Sequence, residues 1–372
     1  MKKILYVSTV SSTINSFLVP HIKALVDRGD LVDCAANIDY ELNIDIDKKL
    51  HDIGVRFFKL PFSRNPFNIE NIKAFKMLIK IQQEENYDIV HLHTPIASAY
   101  GRLLKIKFPN LRIIYTAHGF HFYKGASLIN WAIYYPIEKF MARFTDDIIT
   151  MNFEDYEIAK RFKFKNIHKL NGVGIDLKKY NLNNFNKNEV RTELGLKDED
   201  FVILMIAEVN KNKNHKQMVD AIDILRNKGI KNIKVICAGD GVIFNEVCNY
   251  IKEKKLVDNI KMMGFRTDIN KLIVACDIGI LMSYREGLPR NIMELMACGK
   301  PVIGTNIRGI RDLIKNDVNG YLVRVNDIQD TSNKIERLYI NKNEVKRMSL
   351  KSMEYIKEYS INKVIDSLKK VY

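Results

Sequence analysis

A chain of 372 residues exceeds one ordinary domain and suits two. Hydrophobic residues make up 47% of it, which excludes a disordered polymer, and 59 Lys and Arg against 44 Asp and Glu leave a formal charge of +15. That charge raises nucleic acid or an anionic membrane as partners, yet it is spread over both halves without a basic tail, as a solvated surface would carry it.

The first half alternates short β-rich apolar runs with segments of helical period. Residues 4–7, 32–36, 55–59, 89–93, 112–117 and 147–151 are predicted strands, with predicted helices at 20–28, 69–85, 96–106, 128–143 and 154–162. Buried strands separated by helices predict a parallel sheet covered on both faces. The run 4–7 stops at Ser8 and Thr9, which argues against a signal peptide. The longest nearly uncharged apolar segment, 127–137, falls well short of the roughly 20 residues a spanning helix needs. Gly172-Val173-Gly174 and the polar, Asn-rich stretch 178–188 mark a domain boundary. A second series follows, with strands predicted at 201–207, 234–238, 260–263, 278–282 and 301–304, and a final helical stretch at 345–372. The chain therefore reads as α/β, two Rossmann-like domains facing across a cleft. The first is placed at 1–170, with a C-terminal helix at 355–372 crossing back to it, and the second at 171–354. Cys34, Cys237, Cys248, Cys276 and Cys298 show no CxxC spacing and read as reduced thiols of a cytoplasmic protein.

Ligands of open α/β sheets bind beyond the carboxyl ends of the strands, so the loops there carry the candidate chemistry. After the strand at 278–282, Ser283 to Pro289 opens a helix, with Glu286 on the loop and Glu294 about a turn inside. Two carboxylates beside a helix N-terminus suit a ligand with vicinal hydroxyls and a phosphate, the carboxylates accepting from the hydroxyls and the helix N–H groups receiving the anion. An acidic cap with one solvated Glu is the plainer alternative. After the strand at 201–207, the loop Glu208 to His215 holds Asn210 and Lys213, and Lys213 suits a point charge on a departing phosphate unless the loop is merely solvated. His118 beside Gly119 follows the strand at 112–117, where it can hydrogen-bond near a reacting carbon, although a lone His at a strand end is more often structural. His91 and His93 share a strand face with no acid or thiol at ligand spacing and read as packing or supporting residues, not metal ligands. Gly239 and Gly264-Phe265-Arg266 stand at two more strand ends, where a base or ribose can rest. No glycine occurs in the loop 8–16, which argues against a dinucleotide dehydrogenase. In residues 101–145, seven basic side chains and one acid, Glu138, lie among ten aromatics. Arg102, Lys105, Lys107, Trp131 and His121 are candidates there for an acceptor or membrane surface, unless the aromatics are core and the cations simply face water.

Residues 286–294 (an E-x7-E pattern), the Lys213 loop, Thr116-Ala117-His118-Gly119 and Gly172-Val173-Gly174-Ile175-Asp176 together resemble glycosyltransferase family 4, retaining nucleotide-sugar enzymes of GT-B fold. The resemblance spans essentially the whole chain. The run from Thr116 to Phe122, with Trp131 and Tyr135-Pro136-Ile137-Glu138-Lys139, is most similar to bacterial capsular and exopolysaccharide transferases. It implies that the second domain holds a nucleotide diphosphate sugar, UDP-linked, and the first an undecaprenyl-diphosphate-type lipid-linked saccharide acceptor. It assigns catalysis to His118, Glu286 and Lys213, and donor binding to Glu294, Asn210, Gly264, Phe265, Arg266, Gly239, Arg290, Asn291 and Leu288. No metal and no cofactor are expected, Lys213 and the helix N-terminus standing in for a cation. The expected location is the inner face of the cell membrane, on an anionic surface, without nucleic acid. Two departures stand out: Glu208 where many members have Arg, and Thr9-Val10-Ser11-Ser12 where many have a Gly pair. A nucleotide-sugar 2-epimerase of the same fold and a non-enzymatic nucleic-acid-binding protein are the other readings.

Overall fold

A computed structural model describes residues 1–38, 45–180, 182 and 185–372, so part of the Asn-rich stretch 178–188 (residues 181, 183 and 184) lies outside the described residues. The chain forms two compact units, residues 1–174 with 361–372 and residues 175–360, where the sequence places its divisions at 170/171 and 354/355.

The first unit is built on β1 (Lys3–Val10), β2 (Leu31–Asn37), β3 (Arg56–Lys59), β4 (Ile89–His93), β5 (Arg112–Ala117), β6 (Asp147–Thr150) and β7 (Asn166–Lys169). They pair in parallel in the order β3-β2-β1-β4-β5-β6-β7. Leu5, Val7, Val90, Leu92, Ile113 and Tyr115 enter one core layer, while Ile4, Tyr6, Ile89, Ile114 and Ile149 enter the other. Both faces are buried, which is why these strands read as unbroken apolar runs. The helices Glu70–Glu85, Pro95–Arg102 and Leu128–Met141 cover the first layer, and Val19–Val26 with Ile361–Lys369 the second.

The second unit contains β8 (Phe201–Ile206), β9 (Ile233–Ala238), β10 (Ile260–Met262), β11 (Ile278–Leu281), β12 (Val302–Thr305) and β13 (Gly320–Val323). Their parallel order is β10-β9-β8-β11-β12-β13, around one apolar core. The winding direction reverses between β1 and β4, and between β8 and β11; each reversal leaves room for a ligand at the strands' carboxyl ends.

Several local expectations are corrected. The loop expected at 8–16 turns helical at Ser11, continuing through a π-helical turn at Ile14–Leu18. The helix expected at 96–106 is two, Pro95–Arg102 and Leu104–Lys107. The last stretch is not one helix: Lys342–Tyr355 gives way to a 3₁₀ turn, Ile356–Tyr359, and restarts as Ile361–Lys369 after the extended Ser360. Ile361 crosses the backbone at Gly174 so closely that a Cβ there would lie 2.8 Å from the Ile361 Cα, and Gly174 has φ +80°, so only glycine fits. Among the described residues no helix is long and apolar enough to cross a membrane, and all five cysteines are free thiols.

Candidate active site

The winding reversal in the second unit sets the loops after β8 and β11 side by side, joining two motifs 73 residues apart. The Lys213 Nζ donates to Glu286 Oε1 at 2.6 Å, and Ser283 Oγ donates to the same oxygen at 2.7 Å. Both charged side chains are mostly enclosed, exposed by 19% and 12%. The Lys213 loop is shaped from within, since Asn210 caps the 3₁₀ turn Lys211–Lys213 by accepting from the Lys213 N–H at 3.2 Å. It is tied to its neighbour by the Asn212 side chain, donating to the Arg285 carbonyl at 3.0 Å, and by the Tyr284 N–H, donating to the Asn212 carbonyl at 2.8 Å. Thus a cation and a carboxylate face one another on loops with little freedom.

The helix Arg290–Ala297 begins directly after this loop, with Pro289 at its N-cap offering no side-chain acceptor and Asn291 Oδ1 accepting from the Ile292 N–H at 2.9 Å. Glu294 points back along it, accepting from the Tyr180 hydroxyl at 2.6 Å and lying 3.3 Å from the Arg290 guanidinium. Burial first, then the Glu294 charge, pushes the Tyr180 hydroxyl well above the usual phenol range, so it stays a donor. The Glu286 loop is braced from β12's side. Arg308 donates to the Glu286 carbonyl at 3.1 Å, and Gly309, at φ +75°, approaches so closely that a Cβ would lie 2.3 Å from the Gly287 carbonyl oxygen.

Ser283 and Asn212 sit in the two loops the sequence singles out, although nothing there distinguishes them from their neighbours, whereas no local pattern marks Tyr180 or Arg308, which only the fold brings here.

The remaining donor candidates divide. Gly239 packs its backbone onto the β8 loop, where a Cβ would lie 1.9 Å from the Ala207 carbonyl oxygen, and its N–H donates to the Gly264 carbonyl at 2.8 Å. Phe265, beside Gly264, is an exposed ring beyond β10. Arg266 is instead held bidentately by Asp268, at 2.8 and 2.5 Å. Asn291 donates to the Ile206 carbonyl at 2.5 Å, which ties the helix to β8, and Leu288 packs on the core. Glu208 is exposed, so the second cation that the family pattern places there is absent from that position. Among the described residues no cluster of His, Cys, Asp or Glu could hold a metal ion.

In the first unit, His118 and Gly119 follow β5 directly, as expected. The His118 Nε2 lies 3.2 Å from His93 Nδ1, and burial lowers His118 to about 4, with His21 adding to the shift, so the ring is neutral near pH 7. Thr9, near the end of β1, and Thr94, directly after β4, join through their hydroxyls at 2.7 Å; Thr94 holds φ +69°, a strained value at the winding reversal. The hydroxyls near the missing Gly pair therefore organise this crossing.

The surface expected from Arg102, Lys105, Lys107, Trp131 and His121 is corrected. Arg102 is 2% exposed and grips Glu138 bidentately, at 2.5 and 3.2 Å. Lys105 pairs with Asp146 at 2.7 Å and Arg112 with Asp147 at 2.8 Å, acids lying just past the 101–145 window that made the stretch look so basic. Trp131 packs on the core, its indole N–H donating to the Tyr123 carbonyl at 3.2 Å, and His121 stacks on Tyr134 with centroids 4.6 Å apart. Lys107 alone of the five stays exposed, without an ion pair among the described residues. What the Leu128–Met141 helix shows to solvent is mostly apolar, with Leu128, Ile129, Ile133, Ile137 and Phe140 beside the exposed Lys139.

Residues 186–355 match the family described as "Glycosyl transferases group 1", and residues 3–152 the one described as "Glycosyl transferase 4-like". The chain is 31% identical over its full length to the "Putative glycosyltransferase EpsD" of Bacillus subtilis (strain 168), covering 96% of that protein. It is 30% identical, over 86% of its own length and 84% of the other's, to the "UDP-Gal:alpha-D-GlcNAc-diphosphoundecaprenol alpha-1,3-galactosyltransferase" of Escherichia coli. In fold it is similar to Anabaena Alr3699/HepE, solved in complex with UDP, at TM-score 0.81 and 18% identity, covering 100% of this chain and 99% of the other.

Proposed function

This chain belongs to the group 1 glycosyl transferases, and from that premise we propose that it moves a sugar, with retention at the anomeric carbon, from a UDP-linked donor to a lipid-linked saccharide in cell-surface glycan synthesis. It is a glycosyltransferase related to enzymes of lipid-linked saccharides. The observation that carries the finer reading is the Lys213–Glu286 pair at the mouth of β8 and β11, beside the N-terminus of the helix that holds Glu294. The second unit takes the nucleotide sugar. Its diphosphate draws Lys213 and the N–H groups at the start of Arg290–Ala297, while sugar hydroxyls draw Glu286 and ribose hydroxyls draw Glu294. As the C1–O bond breaks, those positive groups stabilise the charge growing on the diphosphate, so no metal or cofactor is required. The first unit takes the acceptor, and His118 contacts substrate there.

Thermal denaturation with nucleotides tests the donor. UDP and a UDP-sugar, each at a hundredfold excess over Kd, are expected to add about 2.7 kcal/mol to stability and raise Tm. No shift with any nucleotide sugar overturns the assignment. Turnover of a UDP-sugar that needs no acceptor would favour the epimerase.

The acceptor's lipid places the enzyme on the inner face of the membrane. What supports that surface is the Leu128–Met141 helix: Trp131 and Tyr135 pack on the core, while Ile129, Ile133, Ile137 and Phe140 recur on the outer face at helical spacing. Exposed Lys139 and Arg143 on this segment suit anionic headgroups, and the apolar stripe suits the acyl boundary. In flotation assays the protein is expected to rise with vesicles containing anionic lipid. Asp at Ile129, Ile133 and Ile137 together is expected to abolish this with UDP binding intact, whereas Lys139→Glu weakens it only at low salt. Wild-type protein that stays with the unbound fraction at low salt refutes the membrane reading.

A further inference from the structure

His91 and His93 alternate along β4 and so present one face of the strand, packed beside Tyr6 of β1. Both ring nitrogens of His91 are engaged, Nε2 with the Thr116 hydroxyl at 2.7 Å and Nδ1 with the Tyr372 hydroxyl. Tyr372 in turn donates to the Tyr6 hydroxyl at 2.6 Å. His93 differs. Its ring is wedged between Tyr6, stacked at 5.4 Å, and His91, at 4.3 Å, so it cannot turn freely. Its Nδ1 meets His118 Nε2 at 3.2 Å, yet its Nε2 is buried with no partner among the described residues.

Burial keeps both His93 and His118 neutral, so one hydrogen lies between His93 Nδ1 and His118 Nε2. Two arrangements are possible. If His118 donates, the proton of His93 must sit on Nε2, leaving a buried N–H without an acceptor. If His93 donates, only a lone pair is orphaned there. Orphaned buried N–H groups are the rarer and costlier of the two. His93 therefore carries its proton on Nδ1, and His118, its Nε2 accepting that proton, carries its own on Nδ1.

We propose that His93 is a positioning residue that fixes His118 as the Nδ1–H tautomer, so that His118 meets substrate as a hydrogen-bond donor to an oxygen and not as a general base. Its Nε2 lone pair is taken by His93 and its other nitrogen already bears hydrogen. This rests on the reading above that His118 contacts substrate; the tautomer itself does not.

Ring-labelled histidine NMR at pH 7, with His118 assigned from His118→Gln, reads the tautomer directly. The expected result is protonated Nδ1 and bare Nε2 on both rings. His93→Phe keeps the ring but removes the donor, and His118 is then expected to shift toward the Nε2–H form while kcat falls about tenfold, the loss of one aligned hydrogen bond. His93→Asn, whose amide N–H can occupy the place of Nδ1, is expected to restore the wild-type tautomer and most of kcat. Wild-type His118 protonated on Nε2, or Asn no better than Phe on both readouts, overturns the proposal. His118→Ala turning over at the wild-type rate, with the tautomers as expected, overturns instead the reading that His118 touches substrate.

Discussion

Lys213→Ala is expected to lower sugar transfer by about a hundredfold or more, the usual loss when one preorganised charge contact on a reacting oxygen is removed. Glu286→Ala is expected to match it, for a related reason. In the resting protein the two groups neutralise each other at 2.6 Å, so a bound donor exchanges one ion pair for two sets of ligand contacts, the diphosphate on the lysine and hydroxyls on the carboxylate. Removing either partner leaves the other a mostly enclosed, uncompensated charge, which distorts the loop in addition to losing its own contact. The two losses therefore do not add. The double variant Lys213→Ala/Glu286→Ala is expected to be no slower than the slower single one, because both singles already break the same unit. Measuring kcat and KM separately with the three variants, alongside Tm, isolates chemistry from folding. Turnover near wild type by either single variant would remove this pair from the mechanism.

This pairing shows how far the sequence reaches. Both motifs are visible as loops after apolar runs, and their meeting follows from strand order: β8 and β11 are neighbours at the point where the winding reverses. The central strands are legible because burial on both faces keeps them largely apolar, and β4 and β5 fall where expected, at Ile89–His93 and Arg112–Ala117, even with His91 and His93 inside β4. The strands that escape notice stand at the sheet edges: β7, Asn166–Lys169, has both its ends exposed, and β13, Gly320–Val323, opens on a glycine, which weakens a strand pattern. Pairings set by tertiary structure escape as well. Nothing near Glu294 signals Tyr180, 114 residues away, and nothing near Arg102 signals that Glu138 will enclose its charge. Counting charge in a window is the weakest such inference, since the partners Asp146 and Asp147 stand just outside the one that made 101–145 look basic.

Arg102 supplies the second large effect, on stability instead of turnover. Its guanidinium donates to Glu138 through two nitrogens, to the Ser98 carbonyl at 3.1 Å through Nε, and lies 4.5 Å over the Tyr115 ring. It joins the helix Pro95–Arg102 to the helix Leu128–Met141 and to β5 beneath them. Arg102→Ala strands the Glu138 carboxylate among apolar groups, and is expected to cost about 3–5 kcal/mol. In a unit of this size that lowers Tm by very roughly 6–20 °C in a thermal melt. Arg102→Lys keeps the charge but not the planar fork, and is expected to recover only part of the loss. The contrast that decides the matter is Arg102→Met with Glu138→Leu. Removing both charges abolishes the desolvation penalty with the attraction, so the double variant is expected to lie well above Arg102→Ala in Tm. A surface role predicts the reverse: a single exposed cation would be removed at almost no cost in stability, and vesicle flotation would weaken instead. An Arg102→Ala protein that melts within a degree of wild type would return this arginine to the membrane face.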